Sequence, residues 1–386
     1  MKKLLIVAIL LMTILPLLAQ EPTTADTLTT DTLTTDTVAT VQEQPRKLSL
    51  IRRVIRGFDR LDERYIEPQH YVFTAMVQAL YNYDLYTLRS SNGGTQRISF
   101  APDGILKAGP YFGWKWIFGG YAFSFGHSDF SKNKTEWDLS MYSSQIGLDL
   151  FYRRTGVDYK LRDADFGKGI DASALEDISF DGVKAGITGF NVYYIFNHGR
   201  FSYPAAFAQS TCQKISCGSW LAGVGYTRNS LDFDHQKLQA LVSERLAPQQ
   251  VKLDSGLMFN SLRYHDFSLS GGYAYNWVFA PQWLLCGSGQ MAIGYKNSQG
   301  DRDAANSSGA GLLGNFSIDR FSATFIGRFA VVYNNMRWYA GFSAIVRSLN
   351  SREPRFSATN TYGNFNMYVG YNFGLKKKYR KKKDET

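Results

Sequence analysis

The sequence has little continuous apolar chain, because among its 386 residues only Leu4–Leu18 form a long apolar run. That run is too short to span a bilayer comfortably. It follows Lys2 and Lys3 and ends at Ala19, which is the order of charged, apolar and small residues in a secretory signal peptide. The pattern predicts a signal peptide over residues 1–19, export, and no transmembrane helix in the mature chain. No Cys stands at the expected cleavage point, which excludes a lipoprotein signal.

Cysteine and histidine are also scarce, with three and five residues. Cys212 and Cys217 can form a disulfide only if a turn separates them, because positions five apart on one strand point to opposite faces. Sequence alone leaves that pairing open. No His lies at ligand spacing from any Cys, so we expect neither a metal site nor a cofactor.

Excess charge of one sign is missing from the body of the chain. The formal net charge is +10, but Lys2, Lys3 and the tail after Leu375, with seven Lys/Arg against two acids, carry most of it. A uniform nucleic-acid-binding surface is therefore not predicted. Residues 376–386 are expected to form a basic, solvated tail in the periplasm.

The segment before the main domain divides into two parts. Residues 20–44 are rich in Thr and Asp, have almost nothing to bury, and predict a disordered tether. Residues 45–68 place apolar side chains at helical spacing, with Lys and Arg mostly opposite, and predict an amphipathic periplasmic helix. The stripe fits a helix packed on the next domain, and it also fits a helix lying on an anionic membrane surface.

Residues 69–375 change to a period of two, with apolar or aromatic residues at alternate positions. The alternating segments run to about 12–17 residues, roughly twice the usual strand length in soluble sandwiches. Strands of this length with no charge on the apolar face are typical of closed barrels that cross a membrane. We therefore predict an all-β fold, a transmembrane antiparallel β-barrel. A soluble β protein whose apolar face is its core is the alternative.

Aromatic residues gather where the predicted strands meet short connections, as expected for an interfacial girdle. The short turns are then expected to face the periplasm and the long polar segments the outside. The predicted girdle consists of Trp114, Trp116, Trp277, Phe279, Trp283, Tyr333, Trp338 and Phe373.

The strand count comes to eleven, from starts near residues 71, 95, 117, 137, 183, 216, 264, 283, 316, 337 and 363. Because single-chain bacterial barrels have an even number of strands, we expect about 12, within a range of roughly 10–14. Phe201–Gln209 is the candidate for the missing strand, with Pro204 at an edge or bulge.

Several stretches resemble the domain-of-unknown-function family 4421. They are YIEP (65–68), SFAPD (99–103), GPYFGWKWIFGGY (109–121), DLSMYSSQIGLDLFYRR (138–154), FSYPAAF (201–207), GYAYNWVFA (272–280), IGRFAVVYNN (326–335) and YVGYNFG (368–374). The resemblance implies an exported outer-membrane protein of a Gram-negative bacterium. It implies no reaction and no catalytic residues.

Charged and polar residues on the inward phase of the strands are candidates for lining the lumen. They can form a pore or pocket with a positive field for an anionic solute, or a closed network in which arginines pair with aspartates and fill the lumen. The candidates are Asp84, Gln145, Asp149, Asp266, Gln290, Lys296, Arg328, Arg337 and Arg347.

Catalytic motifs are weak in this sequence. His127, Ser128 and Asp129 supply the residue types of a hydrolytic triad, but adjacent residues of an extended chain point apart. The leading hypothesis is a non-enzymatic outer-membrane barrel that acts as a narrow channel, a small-ligand binder or a structural membrane protein. The alternative is an outer-membrane hydrolase or lipid-modifying enzyme with a site on its loops. Expected partners are outer-membrane lipid, the barrel-assembly machinery and a small solute, whereas the oligomeric state is unknown.

Overall fold

A computed structural model of the protein describes residues 61–91, 95–114, 117–121, 123–125, 135–155, 158–298, 321–353 and 355–380. These residues belong to the compact unit Leu61–Thr386. The strands are β1 (Ile66–Pro68), β2 (Tyr71–Ser90), β3 (Arg97–Pro102), β4 (Ile105–Trp114), β5 (Ile117–Gly120), β6 (Phe123–Phe125), β7 (Thr135–Tyr142), β8 (Ile146–Arg154), β9 (Tyr159–Asp165), β10 (Ile178–Ser179), β11 (Val183–Ile195), β12 (Thr211–Gln213), β13 (Cys217–Phe233), β14 (Ser261–Ala280), β15 (Trp283–Ser298), β16 (Phe321–Asn334), β17 (Trp338–Arg352) and β18 (Phe356–Leu375), and the helices are α1 (Tyr203–Phe207), α2 (His235–Arg245) and α3 (Lys377–Arg380). In this part of the chain no helix has both the length and the apolar character needed to cross a membrane.

The fold is a transmembrane antiparallel β-barrel, as the alternation predicts. Among the residues that the structure describes, sixteen strands form one sheet. In it β2 pairs with β18, and the pairing then continues through β17, β16, β15, β14, β13, β11 and β8 to β7. On the other side of β2 lie β3 and β4, and β4 pairs with β5 and β6. Within the described residues, the pairings end at β7 on one side. On the other side, one branch ends at β5 and β6, and a second runs from β3 through β9 to β10. The number of strands in the complete wall stays a prediction.

Burial follows the period of two along each long strand. In β14 the even-numbered residues Ala274 and Asn276 are completely buried. The odd-numbered residues Tyr275 and Trp277 are 44% and 52% exposed. Side chains on one face of a strand share a parity, so the even positions of β14 point to the interior and the odd ones to the membrane. The exposed odd residues are apolar, as lipid contact requires.

The sheet curls so that distant strands meet across the interior. Asn82 of β2 donates a hydrogen bond of 3.3 Å to Glu136 of β7, although the two strands lie at distant points of the sheet order. Arg328 of β16 contacts Asp149 of β8, five strands along the sheet. These contacts bring the described part of the wall around a common interior.

The two ends of the barrel differ. At the short-turn end, the connections are β7–β8 (143–145), β14–β15 (281–282) and β16–β17 (335–337). The long-loop end carries residues 155–182 and 234–260, which contain β9, β10 and α2.

The structure corrects three details of the sequence prediction. Phe201–Gln209 is not a strand, because it contains the helix α1, which is capped by Ser202 through a hydrogen bond from the Ala205 N–H. The region read as one strand from residue 137 is instead the hairpin of β7 and β8, with its turn at Ser143. Of the predicted helix 45–68, residues 45–60 lie outside the described residues, and Ile66–Pro68 forms a strand.

Candidate functional site

A buried ionic cluster occupies the middle of the barrel interior. Asp149 of β8 contacts Arg328 of β16 at 2.5 Å and Arg347 of β17 at 3.2 Å, and it accepts a 2.7 Å hydrogen bond from Ser140. The charged side chains are almost fully removed from water, with exposures of 1% for Asp149, 0% for Arg328 and 4% for Arg347. Arg328 also donates to Gln290. Three predicted lumen residues thus form an ion-paired bridge across the interior.

A second charge pair extends this cluster toward the long-loop end. Arg153 of β8 contacts Asp138 of β7 at 2.6 Å. Its guanidinium carbon lies 4.6 Å from the centre of the Tyr362 ring, and the guanidinium of Arg347 faces the same ring at 6.0 Å. The prediction missed Arg153, although it shares the odd parity of Asp149 on β8. We refer to Asp138, Asp149, Arg153, Gln290, Arg328 and Arg347 as the central polar network.

Lys296 and Asp266 lie buried on the neighbouring strands β15 and β14, between this network and the long-loop end. The ammonium of Lys296 donates to Ser351, to the carbonyl of Arg352 at 2.6 Å and to Glu353 at 3.2 Å. Asp266 accepts a hydrogen bond from Ser322. Both charged groups therefore point inward. The ammonium of Lys296 has three protein partners, whereas Asp266 keeps one buried oxygen, Oδ1, without a hydrogen-bond partner among the described residues.

The remaining lumen candidates lie in different environments. Asp84 is buried and accepts a 3.4 Å hydrogen bond from Tyr159. Gln145 is buried in the β7–β8 turn, 3.1 Å from the ring of His198. Arg337 does not line the lumen: it is exposed in the β16–β17 turn, and its side chain lies against Tyr371 on the outer surface. Parity predicts Arg337 to be inward only if it is the first residue of the strand, whereas β17 begins at Trp338 and Arg337 belongs to the turn.

A plug formed by residues 196–216 fills the interior at the short-turn end. Phe201 and Tyr203 are completely buried. Tyr203 shares a 2.5 Å hydrogen bond with Ser288 of β15, and Asn276 of β14 donates to the Ser202 carbonyl at 2.8 Å. The inward wall residues that pack with the plug are apolar: Tyr193, Ile195, Leu221, Ala274, Leu284, Cys286, Ala330 and Val332. The plug is therefore held both by apolar burial and by side chains of the wall.

A cap formed by residues 158–182 and 234–260 closes the long-loop end. Leu238 and Val242 of α2 are completely buried against inward wall residues, in a cluster that includes Leu88 and Leu262. Below the cap, a cavity of about 10 Å³ lies beside Tyr86, Asn229, Tyr264 and Asn360. That volume holds about one water molecule.

An exposed ion pair joins the two segments of the cap. Lys237 of α2 lies 3.0 Å from Asp181, which precedes β11. The hydrogen bond from Lys237 holds the pKa of Asp181 below its ordinary value, and the same bond raises the pKa of Lys237. Both groups lie outside the strands, so water and salt screen their attraction.

The predicted girdle residues lie on the outer surface near the short-turn end. Ring contacts form a series, with centroid distances of 5.7 Å between Trp277 and Phe279, 6.0 Å between Phe279 and Trp283, and 5.3 Å between Trp283 and Tyr333. A second series joins Trp338, Tyr371 and Phe373, with centroid distances of 4.5 and 6.3 Å, and Trp114 stacks on Phe73 beside Phe373. Trp116 lies outside the described residues.

The described residues contain no hydrolytic triad, metal site or disulfide of the kinds considered from the sequence. His127, Ser128 and Asp129 lie outside the described residues. Among the residues that the structure describes, no group of three or more His, Cys, Asp or Glu side chains is arranged to hold a metal ion. Cys212, Cys217 and Cys286 are free thiols, so the Cys212–Cys217 disulfide is not formed.

A family model described as "Domain of unknown function (DUF4421)" matches residues 60–373. The chain belongs to the DUF4421 family. The resemblance inferred from the sequence is thereby confirmed, and this DUF4421 chain carries the plug, the central polar network and the cap within the matched region. No curated protein sequence matches the chain.

Solved outer-membrane proteins are weakly similar to this DUF4421 chain. The outer membrane protease OmpT from Escherichia coli has 8% identity and a TM-score of 0.32, covering 78% of this chain and 97% of its own. A loop L8 deletion mutant of OmpT, an outer membrane protein of Vibrio cholerae, has 11% identity and a TM-score of 0.22, covering 77% of this chain and 99% of its own. The P. putida toluene transporter TodX has 8% identity and a TM-score of 0.21, covering 79% and 91%. Similarities this weak transfer neither activity nor ligand to the chain.

Proposed function

We propose that this protein is a non-enzymatic structural protein of the Gram-negative outer membrane, exported by its signal peptide, whose barrel is sealed. The observation that carries the proposal is the bridge of Asp149, Arg328 and Arg347 across the middle of the interior. The plug lies on one side of this bridge and the cap on the other.

A solute crossing the barrel would have to displace all three layers. Separating a buried ion pair costs about 3–5 kcal/mol, because it leaves a charge without its partner. The plug adds the burial of Phe201 and Tyr203, each worth about 1.5–3 kcal/mol as a large apolar side chain. These costs favour a barrel that does not conduct at rest, and hence the structural role over the narrow channel.

Conductance in planar bilayers tests the sealed barrel. We expect no conductance steps from the wild-type protein. A variant in which Asp149, Arg328 and Arg347 become Ser and residues 200–210 and 235–259 become Gly/Ser linkers disrupts the bridge, the plug and the cap together, and shows that the assay detects an opened lumen. Steady conductance of the wild-type protein would instead support the narrow-channel function.

We also propose that the protein has no catalytic activity. Lipid composition is compared between a deletion strain complemented with the wild-type protein and one complemented with the His127→Ala, Ser128→Ala variant. We expect no difference between them. A product that disappears only with the variant would establish the loop-borne enzyme.

The expected partners are also proposals. The lipid-facing strands and the aromatic residues at the short-turn end support a barrel surrounded by outer-membrane lipid. The last strand, β18, ends near Phe373, which supports recognition of the closing strand by the barrel-assembly machinery. Depletion of that machinery should leave the protein unfolded, as judged by loss of its heat-modifiable migration in gels.

A further inference from the structure

An apolar groove runs over the outer surface of the barrel near the short-turn end. Its volume is about 670 Å³. Strands β17, β18, β2 and β4 form its floor, and the bulky side chains of Trp338, Phe112 and Tyr121 stand at its sides. Trp338, Phe112 and Tyr121 are 53%, 50% and 67% exposed, so this surface faces the membrane.

Small residues in the middle of the floor create the groove. On β2, Ala75 pairs with Phe112 and Val77 pairs with Pro110 of β4. Ala75 and Pro110 rise less above the sheet than the aromatic residues around them. Pro110 also lacks an N–H for strand pairing, although its carbonyl accepts a hydrogen bond from Tyr121 at 3.1 Å.

Positive charge lies at the foot of the groove. Arg337 is exposed and immediately precedes Trp338. Its Nε and Nη2 atoms donate to the Tyr371 hydroxyl at 2.9 and 2.7 Å, which holds the guanidinium against a lining residue of the groove. A guanidinium has five N–H donors, so others stay available to an oxyanion.

The cations of α3 lie at the same edge. Lys377, Lys378 and Arg380 follow β18 directly and are at the solvent-facing end of the strand that supplies Tyr371. The Tyr379 ring lies tilted against the His70 ring, with 4.0 Å between the centroids, which holds α3 beside the start of β2. The groove therefore has cations at two places along its short-turn edge: Arg337 at the start of β17, and the α3 cations beside the end of β18 and the start of β2.

We infer that this groove binds an anionic phospholipid, with an acyl chain along Ala75 and Pro110 and the phosphate against Arg337 and the α3 cations. An apolar groove alone would accept any acyl chain. The exposed cations at its foot distinguish an anionic headgroup from a zwitterionic one, because Lys and Arg near a membrane surface attract the net negative charge of anionic lipid. The guanidinium of Arg337 can in addition donate parallel N–H hydrogen bonds to two phosphate oxygens.

Fluorescence quenching by brominated lipids tests the site. The full-length protein in phosphatidylcholine nanodiscs is titrated with brominated phosphatidylglycerol or brominated phosphatidylcholine, and the signal of Trp338 is isolated by subtracting the Trp338→Phe variant. We expect phosphatidylglycerol to quench Trp338 at lower lipid fractions. Arg337→Gln should weaken this selective quenching about fivefold, the equivalent of about 1 kcal/mol. Replacing Lys377, Lys378 and Arg380 with Gln should weaken it further.

Two matched controls make the result decisive. Arg263→Gln removes an exposed arginine at the long-loop end, 63% exposed, and should leave the quenching unchanged. Ala75→Phe fills the groove and should abolish the selectivity, whereas Ala79→Phe on the same face of β2 should preserve it. Equal quenching of the wild-type protein by the two lipids, or equal behaviour of Arg337→Gln and Arg263→Gln, would overturn the inference.

Discussion

Removing the carboxylate of Asp149 should be among the most destabilising single changes in the barrel. Asp149→Ala leaves Arg328 and Arg347 without their shared counterion in surroundings that exclude water. Loss of one partner from a buried ion pair costs about 3–5 kcal/mol. Gln290 and the Tyr193 ring still contact Arg328, so we expect about 4 kcal/mol rather than twice the single-pair cost.

The change in the free energy of unfolding of a second variant shows whether the loss comes from an unpaired charge or from lost packing. Replacing the whole ion triad by apolar residues, as Asp149→Leu, Arg328→Met and Arg347→Leu, removes the uncompensated charge together with its partner. Such replacements are often neutral or stabilising by about 1–4 kcal/mol. We therefore expect the triple variant to be far more stable than Asp149→Ala alone.

Urea unfolding of the protein folded in lipid vesicles, followed by tryptophan fluorescence, measures both effects. The control is Arg263→Ala, which breaks an exposed pair with Asp232 and should cost at most about 1 kcal/mol. If Asp149→Ala unfolds within about 1 kcal/mol of the wild-type protein, the central polar network is hydrated and our reasoning about a sealed interior is wrong.

Two further predictions concern the wall and the cap. Gly147→Ala places a methyl group against the buried Tyr193 ring and should cost about 1–3 kcal/mol in the same urea assay, whereas Gly271→Ala, with open space at its Cβ, should be nearly neutral. The hydrogen bond that lowers the pKa of Asp181 stabilises the cap above the unfolded-state pKa, and this contribution is lost as pH falls through the lower folded-state pKa. The protection factors of the α2 amides, which correct for the intrinsic slowing of exchange in acid, should therefore fall on acidification in the wild-type protein but not in Asp181→Asn, and an identical pH response in the two would contradict the pairing.

The period of two was enough to predict the class of fold but not its interior. In β7 the inward residues have even numbers, as Asp138 does, whereas in β8 they have odd numbers, as Asp149 does. This change of parity marks the turn at 143–145, which contains no Gly, Pro or Asn to reveal it. The hairpin was therefore missed, although its signal was present.

The plug shows a different limit of sequence analysis. Ser202 followed by Pro204 is a helix-start signal, which the strand interpretation of Phe201–Gln209 overlooked. The position of α1 inside the barrel could not be read from sequence, because an apolar helix can pack on any apolar surface. Likewise, parity identified Arg328 and Arg347 as inward, but pairing with Asp149 depends on strands that meet only through the curvature of the sheet.

The pairing of β2 with β18 has a consequence for the order of assembly. The first and last long strands are joined over almost their whole length, from Tyr71 opposite Leu375 to Ser90 opposite Phe356. This edge of β2 therefore stays without its partner until the C-terminal end of the chain arrives, and open strand edges invite pairing with other chains. The plug comes from the middle of the sequence and packs against β11 and β13–β16, which are all synthesised before β18, so its packing can precede this non-local and therefore slow pairing.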